Sequence, residues 1–179
     1  AAVGALAWGA YKKYQGNSER AEQVPATAVP ATAVQANSVP EVWQQLPQQQ
    51  FDVLASGAPE SQGLLVLRTM ISAAMADGHL GPDEQTQIFE RLDSLGLSAE
   101  ERSTLFDELR NPMACNVLAA QVTDPVIAIE MYTAATMTVD KNCLTAREFL
   151  RQLSTGLNLP EPLVASIHSN TRDGQLLAS

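Results

Sequence analysis

Leu64–Met75 reads LLVLRTMISAAM and is apolar on nearly every side, with Arg68 its one charge. A helix with no solvated face belongs in the middle of a bundle. It stops at Asp77-Gly78. Pro82 then suits the first turn of a second helix, where Asp83 and Glu84 complement the positive end of the helix dipole. Ile88, Phe89, Leu92 and Leu95 give that helix an apolar stripe, and Gly96 stands where a left-handed residue closes a helix. Ser98-Ala99-Glu100-Glu101 has the form of a capping box that opens a third helix, with Leu105 and Leu109 facing inward. Asn111-Pro112 ends it, and a short helix is expected over Asn116–Val122.

The order then recurs. Asp124 caps and Pro125 starts a second core helix, Val126–Val139 (VIAIEMYTAATMTV), again apolar nearly all round. It reaches Asp140, after which Thr145-Ala146-Arg147-Glu148 reads as another capping box. Phe149, Leu150, Leu153 and Leu157 form the next stripe, and Pro160 opens a last helix with Leu163, Val164 and Ile167 inward. Asp77 and Asp140 are 63 residues apart, and Gly96-Leu97 and Asn158-Leu159 are 62 apart. No segment alternates as a strand would. The expected fold is all-α, a bundle of six to seven helices over residues 61–170 with an internal pseudo-repeat.

Outward from this domain the composition changes. Residues 15–60 contain the near-repeat VPATAVPATAV (Val24–Val34) and a Gln-rich stretch, with no apolar period long enough to bury a face. They read as a disordered linker, in which Trp43 and Leu46 form at most a transient turn. Residues 1–14, AAVGALAWGAYKKY, hold too short an apolar run to cross a bilayer, which takes about 20 residues. Trp8, Tyr11 and Tyr14 beside Lys12 and Lys13 nevertheless resemble an interfacial belt. Two readings stand, the end of a Gly/Ala-rich membrane-associated segment or an amphipathic N-terminal helix. Residues 171–179 read as a C-terminal tail.

The chain of 179 residues has 11 Lys+Arg against 20 Asp+Glu, a net charge of −9. Most of the excess acid lies beyond residue 60, so the helical domain is the acidic, soluble part. Nucleic acid is excluded as a partner, because phosphate binding needs clustered Lys and Arg. With two His and two Cys, and neither CxxC nor HExxH, a four-ligand zinc site is not expected. P-loop, GxGxxG and GxSxG patterns are absent, so no nucleophile or phosphate cradle declares itself. Cys115 and Cys143 read as reduced thiols, with a disulfide left open. Met70, Met75, Met131 and Met137 read as core.

The acidic loops hold the residues that could carry chemistry. Each sets an Asp at the end of a buried helix and a Glu in the first turn of the next: Asp77 with Glu84, and Asp140 with Glu148. If the core helices run parallel or cross, these four carboxylates converge and suit a hard cation, Ca²⁺ or Mg²⁺. His79 and Asp83 are lesser candidates, and His168 reads as surface or packing. The plainer reading makes Glu148 a capping residue, Glu84 a dipole partner and Asp77-Gly78 a tight turn. The EF-hand pattern is absent.

Ile71–Glu84 (ISAAMADGHLGPDE) resembles the "AAAxADGHID…E" signature of the YebE-type proteins, the domain-of-unknown-function 533 family, which is similar to the wider TerB-like group. Asp140…Thr145-Ala146-Arg147-Glu148…Leu157-Asn158-Leu159-Pro160 resembles the family's "D…AExxYLxxLAxxLxLP". Gly4-Ala5-Leu6-Ala7…Tyr11-Lys12-Lys13-Tyr14-Gln15 looks like the end of its membrane segment. The resemblance implies a bacterial inner-membrane protein with a TerB-like domain, its cytoplasmic side favoured. It also implies a link to envelope, metal or stress responses. By matching positions Asp77, Glu84, Asp140 and Glu148 inherit the suggestion of divalent-cation binding, although Asp140-Lys141-Asn142-Cys143 is less acidic than the family's second loop. The expectation is a membrane-tethered, non-enzymatic helical module that answers to a cation or a protein partner, with self-association open. The alternatives are a pure protein–protein scaffold without metal and a metal-dependent hydrolase.

Overall fold

The computed structural model describes residues 3–22, 41–43, 45–51, 60–78, 81–94, 96–139 and 143–176. Eight α-helices occur among them and no strand: α1 (Val3–Glu22), α2 (Glu60–Ala74), α3 (Pro82–Ser94), α4 (Ala99–Glu108), α5 (Cys115–Ala120), α6 (Pro125–Thr138), α7 (Leu144–Gly156) and α8 (Glu161–Leu176). The all-α bundle expected from the sequence is therefore the fold, with seven helices following the N-terminal one.

The two helices without a polar face form the centre. α2 packs on α6 more extensively than any other pair of helices. Leu67, Met70 and Ile71 of α2 and Val126, Ile129 and Met131 of α6 are almost wholly withdrawn from solvent. Burial of each such side chain contributes about 1.5–3 kcal/mol. α6 could not be buried all round if its hydroxyls stayed unpaired. Thr133, Thr136 and Thr138 instead donate to the carbonyls of Ile129, Tyr132 and Ala134, at 2.7, 2.8 and 2.9 Å. Thr69 of α2 does the same to Leu65 at 2.8 Å. Arg68 meets Glu108 of α4, Nε to Oε1 2.9 Å, so the one charge of the α2 run lies in an ion pair at the edge of the core.

Much of the punctuation lies where the sequence puts it. Ser98 and Glu101 make a reciprocal capping box at α4, and Asp124 Oδ1 accepts from Val126 N at 2.8 Å at the start of α6, with Pro125 next. Gly96 has φ +63° and Asn158 has φ +53°. Leu97 and Leu159 follow them into the core. The two half-repeats thus end their amphipathic helices by the same left-handed turn, with Asn doing in the second what Gly does in the first.

The N-terminal part differs from expectation. α1 continues to Glu22, so the linker boundary expected at residue 15 falls inside a helix. Residues 23–40 and 52–59 lie outside the described residues. No described helix is long and apolar enough to cross a membrane. Val3, Ala7, Ala10, Tyr11 and Tyr14, assigned above to a membrane segment, are buried, and α1 packs along α8 and against α6. Small residues set the approach: a Cβ added at Gly9 would lie 2.7 Å from Asn170 Nδ2, which donates to Leu6 O at 2.8 Å. Lys12 Nζ lies 5.7 Å from the centre of the Trp8 ring.

Trp43, expected in a transient turn, is buried, as is Phe51. Tyr11 gathers this segment. Its hydroxyl accepts from Leu46 N at 2.9 Å and Gln15 Nε2 at 2.8 Å and donates to Trp43 O at 3.2 Å, while its ring stacks on Phe51. At the other end α8 runs on to Leu176, so the tail expected from residue 171 begins as helix, with Thr171 buried.

Two outcomes check this packing. Ile71→Ala removes a buried branched side chain at the α2–α6 contact and should cost about 2–5 kcal/mol in denaturant melts; a cost below about 0.5 kcal/mol, the range of ordinary surface changes, would deny α2 its central place. Tyr11→Phe leaves the Leu46 N–H without its acceptor and should cost about 1–3 kcal/mol, with faster amide exchange at residues 45–51. Unchanged exchange there would show that Tyr11 does not hold the segment.

Candidate functional site

The acidic loops come first. Asp77 closes a 3₁₀ turn, Met75–Asp77, that continues α2, and Gly78 at φ +91° reverses the chain. Asp83 and Glu84 lie in the first turn of α3. His79 and Asp140 lie outside the described residues, as do the side chains of Asp77, Asp83 and Glu84. Among the described residues no group of three or more His, Cys, Asp or Glu is placed to hold a metal ion.

Glu148 is described fully, and its expected capping role is corrected. α7 begins at Leu144, with Cys143 as its cap residue and no side-chain cap bond; the Cys143 carbonyl already accepts from Arg147 N at 3.2 Å. Thr145 therefore lies inside the helix, and Glu148 is two residues too deep to reach the cap. It is clasped instead by Arg151, Nε to Oε2 2.9 Å and Nη2 to Oε1 2.6 Å, and by Gln152 Nε2 at 2.9 Å. These charge-assisted bonds favour the carboxylate, and the hydrogen bond from Arg151 is the main reason its pKa falls to about 2.

The segments that follow the two core helices meet. Ala76, just beyond α2, borders a recess of about 370 Å³ together with Leu144, Thr145, Glu148, Phe149 and Gln152 of α7. Leu144 is 74% exposed at its rim. Neither Cys115 nor Cys143 forms a disulfide, which closes that alternative. Cys115 is buried, its Sγ donates to Phe149 O at 3.6 Å, and burial pushes its thiol pKa up.

A second feature went unrecognised in the sequence. α7 and α8 both pack on α6 but scarcely on each other, and a groove of about 560 Å³ runs between them over Tyr132. Tyr132 Oη lies 2.9 Å from His168 Nε2, with the rings edge to face. His168 is half-buried, so its packing role holds, with a polar partner added. Burial raises the Tyr132 phenol to about 12, so it keeps its proton at neutral pH. Arg147 and Arg151 line the groove along α7, and Glu161 and Val164 along α8. Glu130, inside the second apolar run, is fully buried in α6. An acid and a tyrosine interrupting fourteen otherwise small or apolar positions was the available signal for both.

An all-α domain built from a duplicated helical unit, with an N-terminal helix strapped to it, is the class of protein that these features define. The chain belongs to the family described as "Protein of unknown function (DUF533)", whose model matches residues 1–171. No curated protein and no solved structure matches it.

One pH effect follows from Glu148. Its folded pKa of about 2 lies below the ordinary 4.5, so its contribution to stability is present above pH 4.5 and is lost as the pH falls through 2. Glu148→Gln should therefore lower the denaturation midpoint slightly at pH 7, and the gap to wild type should close between about pH 4.5 and pH 2. A gap that stays constant over that range would show that the Arg151 clasp is not its source.

Proposed function

We propose that this chain is a non-enzymatic interaction module of the YebE type, related to TerB-like domains. In this reading it is tethered at a bacterial inner membrane, with its helical domain on the cytoplasmic side. It engages a protein partner through the end of the bundle where the segments following α2 and α6 meet. The observation that carries the reading is the recess there, floored by Ala76 and Phe149 and edged by a leucine three-quarters exposed. An exposed large apolar side chain next to an apolar hollow and rimmed by polar groups is the anatomy of a contact site. A partner with a basic rim would suit a chain of net charge −9. A hydrolase is less well supported, because the Tyr132 hydroxyl, although beside a histidine, is buried and held protonated.

A cation-responsive version of the same module is the second reading, because Ala76, the neighbour of Asp77, lies beside Glu148. Carboxylates gathered at that end would take Ca²⁺ or Mg²⁺ through oxygen ligands.

The two are separated by one set of measurements on the membrane-tethered chain. Leu144→Asp should abolish capture of a partner that the wild type retains, with the melting temperature unchanged; retained capture would overturn the contact site. Ca²⁺ at a hundredfold its Kd should stabilise a binding protein by about 2.7 kcal/mol, and Glu148→Gln should blunt the response. A wild type indifferent to Ca²⁺ and Mg²⁺ removes the cation reading and leaves the contact site standing.

A further inference from the structure

The α7–α8 groove is distinct from the recess at the loop end and has its own chemistry. Arg147 and Arg151 stand one turn apart on its α7 wall. Arg151 spends Nε and Nη2 on Glu148, which leaves Nη1 outside that ion pair. Arg147 is exposed; its backbone N–H donates to Cys143 O within the helix, while its guanidinium makes no hydrogen bond or ion pair with any described residue. Arg147 lies nine residues before the end of α7 at Gly156, roughly 14 Å from the turn into α8 at 1.5 Å per residue. Glu161 starts α8 at that turn, so it sits toward the opposite end of the groove. Between the two ends Leu150, Leu159 and Val164 give the walls an apolar stretch, interrupted by Ser154 and Thr155. The groove is open to solvent on one side, and its space of about 560 Å³ is large enough to take a small molecule.

We propose that this groove binds a small organic monoanion, its carboxylate on Arg147 and the free edge of Arg151 and its short apolar body along Leu150, Val164 and Leu159. The charge pattern selects the class. Among the described residues the Arg147 guanidinium has no partner, and a carboxylate is the planar group that meets it with two parallel hydrogen bonds. A polyanion such as a nucleotide is disfavoured, because Glu161 lines the groove and Glu148 already takes one edge of Arg151, so the two arginines leave little net positive charge there. A bare ion would leave the apolar walls unused. The Tyr132–His168 hydrogen bond closes the floor, so the buried Tyr132 ring and the half-buried His168 ring enter as a wall.

Three probes dissect the site by amide chemical shifts of the isotope-labelled full chain: hexanoate, its neutral isostere hexanamide, and acetate. Hexanoate should shift amides along residues 147–154 and 161–168 in a saturable way, whereas hexanamide and acetate should each bind at least about tenfold more weakly, for want of a charge-assisted bond or of apolar contact. Arg147→Gln removes an exposed side chain without a partner among the described residues, so the melting temperature should hold, while hexanoate binding should fall about tenfold, as for loss of one charged hydrogen bond. Absence of saturable shifts with hexanoate overturns the proposal. So does equal binding of hexanamide, which would make the groove merely apolar, or of acetate, which would make the arginines a bare anion site. Unchanged binding in Arg147→Gln would place the ligand elsewhere.

Discussion

Everything in this molecule is arranged round the contact between α2 and α6, two helices that lack a polar face. Neither could exist alone in water, since each would expose an apolar surface on every side. Packed together they bury one side of each, and the other sides then require cover. α3, α4, α5 and α7 cover α2, while α7, α8 and α1 cover α6. The duplicated order of elements follows from this, since each half brings one naked helix and the amphipathic ones that clothe it. The hydroxyls of Thr69, Thr133, Thr136 and Thr138 are consistent with the same constraint. A threonine that returns its proton to the carbonyl four residues back can sit in such a core without an outside partner.

α1 completes the cover. Its close approach to α8 depends on Gly9, and the Asn170 amide fills the remaining gap by bonding the Leu6 carbonyl. The aromatic residues that look like an interfacial belt in the sequence are turned inward here. A ring that is buried in protein and a ring that is buried in a lipid headgroup layer leave the same trace in composition, namely Trp and Tyr beside Lys. Only the neighbours tell them apart, and Tyr11 is surrounded by Trp43, Leu46 and Phe51.

The sequence was legible where the determinant is local. Ser98 with Glu101, Asp124 with Pro125, and the left-handed Gly96 and Asn158 each act on their own turn of backbone, so their spacing reports their role. It misled where two local signals competed. Thr145-Ala146-Arg147-Glu148 has the spacing of a capping box, yet the helix starts two residues earlier, and Arg151 three residues on outbids the cap for the Glu148 carboxylate. It was silent where the determinant is tertiary. The α7–α8 groove exists because two helices that follow one another both lean on α6 and not on each other, a fact no pattern within either helix contains. Of the acidic quartet, Glu148 alone can be followed to its partners, and these are basic and amide groups of its own helix.

That clasp makes Glu148 a boundary between two surfaces. It borders the recess beside Ala76 on one side, and on the other it holds Arg151, which lines the groove. The guanidinium is shared, since the edge turned to Glu148 is not available to anything in the groove. A cation that drew Glu148 away from Arg151 would free two donors on the groove side, and an anion that drew Arg151 inward would free a carboxylate on the recess side. By linkage such effects must be reciprocal, each ligand strengthening the other by the same factor. The ion pair is exposed, so the coupling it can transmit is modest and weakens with salt. Two sites joined through one surface arginine would therefore influence each other without any movement of the α2–α6 core beneath them.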